Sequence, residues 1–278
     1  MRIHHLNCTT IHTNLRYRGV THCLLLEGDS SLTLVDTGLG TRDYTSPSRH
    51  VRLFTRVNGI PCELDETAVR QVAKLGFKPE DVRDIVLTHL HLDHAGGVAD
   101  FPWADVHVFR TEYEAATRPR RLSWVDRLGY AREHLGSGTN WVLHSLEGEK
   151  WCGFDCARVL GESPFYVLLV PLEGHSRGHC GVAVDSGEAW LFHAGDAYVR
   201  DMQIEPDDPR NPFPVWVRPL AQQLFPEEPL ERLRLLQREH GGEITIFSSH
   251  DPIAYSRLRG VSIEEAVGLS SGPKGSPA

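Results

Sequence analysis

Hydrophobic positions along the chain fall in short aliphatic runs separated by polar turn clusters. Thr21 to Leu26 and Leu32 to Val35 are rich in β-branched and aliphatic residues and are parted by Glu27-Gly28-Asp29-Ser30, a pattern that predicts a β-hairpin. The second run stops at Asp36-Thr37-Gly38. No period dominates from Gly40 to Pro61, which reads as a long loop. Asp65 to Leu75 then places Ala68, Val69, Val72, Ala73 and Leu75 at helical spacing, with Asp65 to cap the helix and Gly76 to stop it.

Downstream the runs shorten. Asp84 to Thr88 reads as a buried strand followed by a histidine-rich turn and Gly96-Gly97, and Val106 to Phe109 as another strand. Thr111 with Glu114 three residues on predicts a capping box at the start of a helix. Tyr166 to Val170, Gly181 to Val184 and Trp190 to His193 are further strands. Pro229 to His240 is a helix, and Ile244 to Phe247 is the last strand, before Ser248-Ser249-His250-Asp251. This order of elements predicts an α/β protein with mixed sheets. Residues 1–269 are assigned to one domain, and the Gly/Pro/Ser-rich residues 270–278 to a disordered tail.

Composition narrows the function classes. With 278 residues, 40% of them hydrophobic, the chain can bury a large core. Its 37 acidic residues against 29 basic ones, a formal charge of -8, disfavour a protein that tracks nucleic-acid phosphates. The longest apolar stretch, Phe165 to Leu172, is interrupted by Pro171 and falls short of the roughly 20 residues a membrane-spanning helix needs. Met1-Arg2-Ile3-His4-His5 puts polar residues where a signal peptide has apolar ones, so a cytoplasmic protein is expected. Six dispersed cysteines suit reduced thiols, and Cys152 with Cys156 lacks the further ligands of a structural metal site.

Candidate chemistry centres on His89-Leu90-His91-Leu92-Asp93-His94. Residues two apart in an extended segment face the same way, so His89 and His91 present their imidazoles to one point, and the turn after Leu92 brings Asp93 and His94 to an adjacent one. Such a donor set suits zinc, manganese or iron better than calcium or magnesium. Chance would produce this spacing about 0.003 times in a chain of this composition. Outside the motifs, His4, His5, His12, His22, His50, His107, His134, His144 and His240 are read as ordinary core or surface histidines.

On these residues the chain resembles the metallo-β-lactamase superfamily, in which a His-x-His-x-Asp-His element precedes a distant His, a bridging Asp and a final His. Gly174-His175-Ser176-Arg177-Gly178-His179 is similar to the family's Gly-His-x-x-Gly-His segment, Gly195-Asp196 to its bridging Asp, and Ser249-His250-Asp251 to its last ligand. Asp36-Thr37-Gly38 matches its strand-end Asp, and the similarity runs from about Thr21 to Pro252. The resemblance implies an αβ/βα four-layer sandwich, two mixed β-sheets flanked by helices. It implies one metal on His89, His91 and His175, a second on Asp93, His94 and His250, and Asp196 bridging them. Two divalent ions are expected, zinc first, with manganese, cobalt or iron as alternatives. His179 is read as structural, Asp36 as orienting a ligand, and His193 as core.

The resemblance further implies a hydrolase, in which a metal-bridging hydroxide attacks an acyl carbon and Asp93 moves the proton. His91 departs from the flavodiiron branch, which has an acid there, and Asp196 from antibiotic-cleaving members that carry Cys. Asp93 to Gly97, Thr111 to Ala116 and Asp196-Ala197-Tyr198 look like the N-acyl homoserine lactone lactonase branch, whose members act in quorum quenching. In that branch a Tyr after the bridging Asp contacts the substrate carbonyl. Tyr198 takes this role here, two residues after Asp196 rather than three. The Ile204 to Pro229 stretch, with Phe213, Trp216 and Phe225, and the Gly40 to Pro61 loop, with Phe54 and Ile60, are expected to overhang the site and suit an acyl chain. Partners are then a small-molecule substrate, without nucleic acid or membrane, and a homodimer is admitted as the assembly. The rivals are a glyoxalase-II-like thioesterase, whose basic C-terminal extension is not seen after His250, another ester or phosphotriester hydrolase, and, from a different class, a mononuclear iron persulfide dioxygenase.

Overall fold

The computed structural model describes residues 2–13, 17–28, 30–118, 124–136, 138–160, 166–187, 189–207 and 209–269. One sheet holds β1 (Arg2–His12), β2 (Arg18–Glu27), β3 (Leu32–Val35), β4 (Val82–Val86), β5 (Asp105–Phe109) and β6 (Asn140–His144) side by side. Its first three strands pair antiparallel and β3 to β6 pair parallel. The other sheet holds β7 (Glu149–Trp151), β8 (Phe154–Leu160), β9 (Val167–Pro171), β10 (Cys180–Asp185), β11 (Trp190–His193) and β12 (Ile244–Phe247), in which only β11 and β12 pair parallel. The helices are α1 (Thr41–Thr45), α2 (Arg49–Asn58), α3 (Ala68–Lys74), α4 (Leu92–Ala95), α5 (Arg110–Thr117), α6 (Trp124–Gly129), α7 (Arg218–Leu224), α8 (Glu227–His240), α9 (Pro252–Arg259) and α10 (Ile263–Ala266).

Side-chain alternation builds the layers. In β2, Leu24 and Leu26 meet Val167, Leu169, Val182 and Val184 of β9 and β10 in a core between the sheets, while Cys23 and Leu25 face the opposite way, toward Ala68 and Val72 of α3. In β9, Leu168 and Val170 face outward and pack with Leu230, Leu233 and Leu236 of α8. Both faces of these strands are therefore covered, which gives helix, sheet, sheet, helix, the four-layer αβ/βα arrangement. Among the described residues no helix is long and apolar enough to cross a membrane, and all six cysteines are free thiols.

Several elements differ from the sequence reading. Gly40 to Pro61 carries two helices rather than a loop. Ser48 caps α2 by accepting from the Val51 backbone N–H at 3.2 Å, and Gly59 ends it at φ +60°. Only Val51, Phe54 and Thr55 turn inward, too narrow an apolar stripe to stand out among four basic side chains. The expected Asp65 to Leu75 helix begins as a 3₁₀ turn, Leu64–Glu66, and becomes α-helical only at Ala68. Glu66 turns back to β1 instead, accepting from the Thr10 N–H at 2.7 Å and the Thr10 hydroxyl at 2.6 Å. The Thr111 to Glu114 capping box does not form, because α5 already starts at Arg110. Strands β1, β6, β7 and β8 and helices α6, α7, α9 and α10 were not expected. Residues 270–278, read as a disordered tail, lie outside the described residues.

Candidate metal centre

The parallel pairs β3/β4 and β11/β12 point their C-terminal ends the same way, so the segments that follow them emerge at one end of the sandwich. There Thr37 N–H donates to His94 O at 2.8 Å, Cys180 N–H to Thr88 O at 3.0 Å, and Ser249 N–H to Gly195 O at 3.0 Å. These bonds tie together the segments after β3, β4 and β9, and likewise those after β11 and β12. They carry Asp36, His89 to His94, His175, Asp196 and His250 respectively.

Their side chains converge. Three groups have ligand atoms within 4.8 Å of one another: His89, His91 and His175; His89, His94 and Asp196; and Asp93, His94 and His250. Asp196 stands in the middle, Oδ1 lying 3.3 Å from His94 Nε2, and Oδ2 3.0 Å from His250 Nε2 and 3.4 Å from His175 Nε2. Asp93 Oδ2 is 3.6 Å from His250 Nε2, and His91 Nδ1 is 3.0 Å from His175 Nε2. His89 Nε2, His94 Nε2 and Asp196 Oδ1 are buried without a hydrogen-bond partner, while His91 turns its Nδ1 to the cluster and its Nε2 toward Gly129. Buried donors and acceptors are nearly always paired, so this many orphaned atoms aimed at one point is the arrangement metal ligands adopt. The donor set fits a metal.

Outer partners decide which nitrogen each imidazole turns inward. His175 Nδ1 meets the Leu224 carbonyl at 2.9 Å and His250 Nδ1 the Val20 carbonyl at 2.7 Å. A carbonyl only accepts, so each Nδ1 carries a proton and each Nε2 is the atom turned to the cluster. Asp36 does the same for two histidines at once. Its Oδ2 accepts from His94 Nδ1 at 2.8 Å and from the Thr88 hydroxyl at 2.9 Å, and that hydroxyl in turn lies 3.0 Å from His89 Nδ1. Its Oδ1 accepts from the Thr88 N–H at 2.8 Å.

Electrostatics follow the same geometry. Burial pushes the His89 and His91 imidazoles well below the ordinary histidine range, so both are neutral, the form that binds metal. Burial acts likewise on His94 and His250, but Asp196 together with Asp93, and Asp36 beside His94, outweighs it and holds both above that range. Asp196 is buried too, which favours its neutral form, yet His250, His94 and His175 hold it well below the carboxylate range.

Each metal-ligand position expected from the sequence thus lies in this cluster. His179 lies behind it: its Nδ1–H donates to Leu172 O at 2.8 Å and its Nε2 accepts from the Asp196 N–H at 2.8 Å, which leaves no lone pair for a metal. His193 is wholly buried, its Nε2 on His22 O at 2.6 Å. Tyr198 is the correction. Its ring is completely buried among Leu230, Leu233 and other residues beneath α8, and its hydroxyl donates to Asp201 Oδ1 at 3.1 Å, so the expected carbonyl contact is not made from this position. Two residues after Asp196 instead of three, the side chain turns into the core.

A tyrosine that does lie beside the cluster is Tyr17, just before β2. Its hydroxyl donates to the His250 carbonyl at 2.7 Å and its ring lies under the Arg200 guanidinium at 5.1 Å. Burial raises its pKa well above the usual tyrosine value, and the charges of Asp251, Asp196 and Asp93 add to this against Arg200. No motif marks Tyr17. Nor does any motif mark Glu112 as a site residue, although it is wholly buried on α5 and accepts hydrogen bonds from both histidine-bearing segments. Above His175, Phe225 stacks on the imidazole with centroids 5.5 Å apart, and Phe213 stacks on Phe225 at 5.7 Å, whereas Trp216 is 72% exposed. Phe54 and Ile60 pack with Leu39, Leu92 and Tyr17. A cavity of about 410 Å³ opens beside His175, lined by Tyr130, Gly174, Ser176, Arg177 and Glu228 among others.

Fold and cluster together define a metal-dependent hydrolase class, and comparison with known proteins places the chain within it. The family model described as the metallo-beta-lactamase superfamily matches residues 16–147. A probable metallo-hydrolase of Mycobacterium tuberculosis is 39% identical over 264 residues, which span 93% of this chain and 83% of the relative. The N-acyl homoserine lactonase AttM of Rhizobium johnstonii is 30% identical over 230 residues, 82% of this chain and 80% of that protein. Among solved structures, an N-acyl homoserine lactone hydrolase with the product N-hexanoyl-L-homoserine at its catalytic metal center superposes with a TM-score of 0.65 at 22% identity, covering 90% of this chain and 92% of that one. This chain belongs to the metallo-beta-lactamase superfamily.

Proposed function

We propose that this chain, acting as one unit over residues 1–269, is a hydrolase that works with two divalent metal ions and opens lactone rings, N-acyl homoserine lactones among them, and is thereby quorum-quenching. The observation that carries the reading is the shared position of Asp196, whose two oxygens lie 3.0 to 3.4 Å from the Nε2 atoms of His94, His175 and His250. His89, His91 and His175 would hold one ion, Asp93, His94 and His250 the other, and Asp196 both. Five imidazoles and two carboxylates suit zinc first, with manganese, cobalt or iron as alternatives. Ions bound there supply hydroxide at neutral pH and polarise a carbonyl oxygen.

The chain's own residues do the rest. Asp93, its carboxylate facing His250 and slightly open to solvent, takes up a proton and returns it to the departing alkoxide. Phe213 and Phe225 give an apolar wall above His175, which suits an acyl chain, and the adjoining cavity has the size of a small-molecule site. The lactonase names of relatives at about 30% identity support the substrate class.

The test is a hydrolysis screen of zinc-loaded protein by pH-stat, since ring opening releases acid. N-hexanoyl homoserine lactone and simple γ- or δ-lactones are expected to turn over. Inert lactones beside good turnover of a thioester or a phosphotriester would overturn the lactone assignment. One iron per chain with sulfur-dependent oxygen uptake would overturn the hydrolase itself.

A further inference from the structure

We infer that Glu112 is a positioning residue that clamps together the two segments carrying His89, His91 and His175, and thereby sets the affinity of that half of the centre selectively; this rests on the two-metal reading above. Glu112 is wholly buried on α5. Its Oε1 accepts from the Leu90 backbone N–H at 3.0 Å and from the Tyr130 hydroxyl at 3.0 Å. Its Oε2 accepts from the Ser176 hydroxyl at 2.8 Å and from the Gly178 backbone N–H at 3.0 Å. One carboxylate therefore grips the residue between His89 and His91 with one oxygen and the two residues flanking Arg177, just past His175, with the other.

Two further contacts point the same way. The edge of the Tyr130 ring packs on the His91 imidazole with centroids 4.9 Å apart, so the hydroxyl that Glu112 holds also locates the ring that backs His91. Gly178 lies so close to α5 that a Cβ there would collide with the Glu112 backbone nitrogen, so the second glycine of the Gly-His-x-x-Gly-His segment is required by this close approach. His94 and His250 depend on other supports, namely Asp36 and the Val20 carbonyl. Loss of the clamp is thus felt first in one half of the cluster.

Glutamine cannot replace this group. Each carboxylate oxygen faces one backbone N–H, a donor that cannot be reversed, so either orientation of an amide sets its NH₂ against Leu90 or Gly178. A support of this kind is worth about 10- to 100-fold in metal affinity.

The experiment is a cobalt(II) titration of metal-free full-length protein, with equilibrium dialysis for stoichiometry, the visible ligand-field spectrum for geometry, and far-ultraviolet circular dichroism of the metal-free form for folding. Wild type is expected to bind two ions, Glu112→Gln to bind one normally and the other at least 10-fold more weakly with an altered spectrum. Ser176→Ala and Tyr130→Phe, which each remove one bond of the four, should weaken the same step by smaller factors; they carry the test if Glu112→Gln does not fold. Equal weakening of both ions, or wild-type affinity for both in all three variants, would overturn the clamp. Wild type binding fewer than two ions would instead overturn the two-metal reading, and the selective clamp with it.

Discussion

Asp36→Asn separates fold from metal binding at a single atom. Asp36 is completely buried with φ +55°, a left-handed conformation that Asn tolerates about as well as Asp, so the change adds no backbone strain. The amide oxygen can keep the 2.8 Å bond to the Thr88 N–H, the donor that cannot be reversed. The NH₂ then takes the place of Oδ2 and meets the Thr88 hydroxyl and His94 Nδ1, which now donate to Asp36 at 2.9 Å and 2.8 Å. Both can adapt only by accepting. His94 must give up its Nδ1 proton and keep one on Nε2, the atom that faces Asp196, and a rotated Thr88 hydroxyl would drive His89 to the same tautomer. Metal affinity should fall about 10- to 100-fold, equivalent to roughly 1.4 to 2.8 kcal/mol, while the metal-free protein loses no more than about 1.5 kcal/mol. Asp36→Ala is the contrast: it strands a buried N–H and puts a less tolerant residue at positive φ, so the metal-free protein should lose about 3 to 5 kcal/mol. Zinc competition against a chromophoric chelator and thermal melts of the metal-free forms measure the two effects. Wild-type zinc affinity in Asp36→Asn, or equal destabilisation by both variants, would refute the tautomer argument.

Asp196→Asn should lose metal and activity together, because a neutral amide binds two cations poorly; elemental analysis showing unchanged metal content would exclude the bridging role. Tyr17→Phe should lower kcat/KM by about 10-fold without loss of fold, whereas Tyr198→Phe should leave turnover unchanged and cost about 1 kcal/mol of stability for its bond to Asp201; the reverse pattern would restore the carbonyl contact to Tyr198. Asp201 supplies a pH test, since burial first and the Asp251 charge next push its carboxyl up from 3.8 to about 6. A carboxyl whose pKa is raised by folding stabilises the protein fully below the unfolded value and loses that contribution as pH rises through the folded one. Asp201→Asn should therefore gain on wild type between about pH 4 and 6, by about 1 kcal/mol after allowance for its partial exposure. Melting-temperature differences that stay constant from pH 4.5 to 7.5 would count against it.

Local chemistry made the metal-binding motif legible. His89 and His91 alternate along an extended segment, Asp93 and His94 follow one turn later, and this arrangement is written in consecutive residues, as are the strands Trp190–His193 and Ile244–Phe247. Where a strand is covered on both faces, as in the Cys23 to Leu26 run of β2 and in β9, successive positions are all apolar and the period that would tell face from face disappears, so only the packed sheets assign Leu24 to one core and Leu25 to another. α2 was hidden for the opposite reason, because it buries so little. Tyr198 shows how far one residue of spacing matters once a chain leaves a strand: its hydroxyl went to Asp201, and Tyr17, from before β2 at the other end of the chain, came to lie against His250. Glu112 and Asp36 took their places through contacts with residues 18 to 66 and 52 to 58 positions away, distances over which no periodicity carries information. The sequence by itself determined which atoms could bind metal; the tertiary structure alone decided which nitrogen each imidazole turns inward, because that depends on carbonyls and carboxylates brought from other strands.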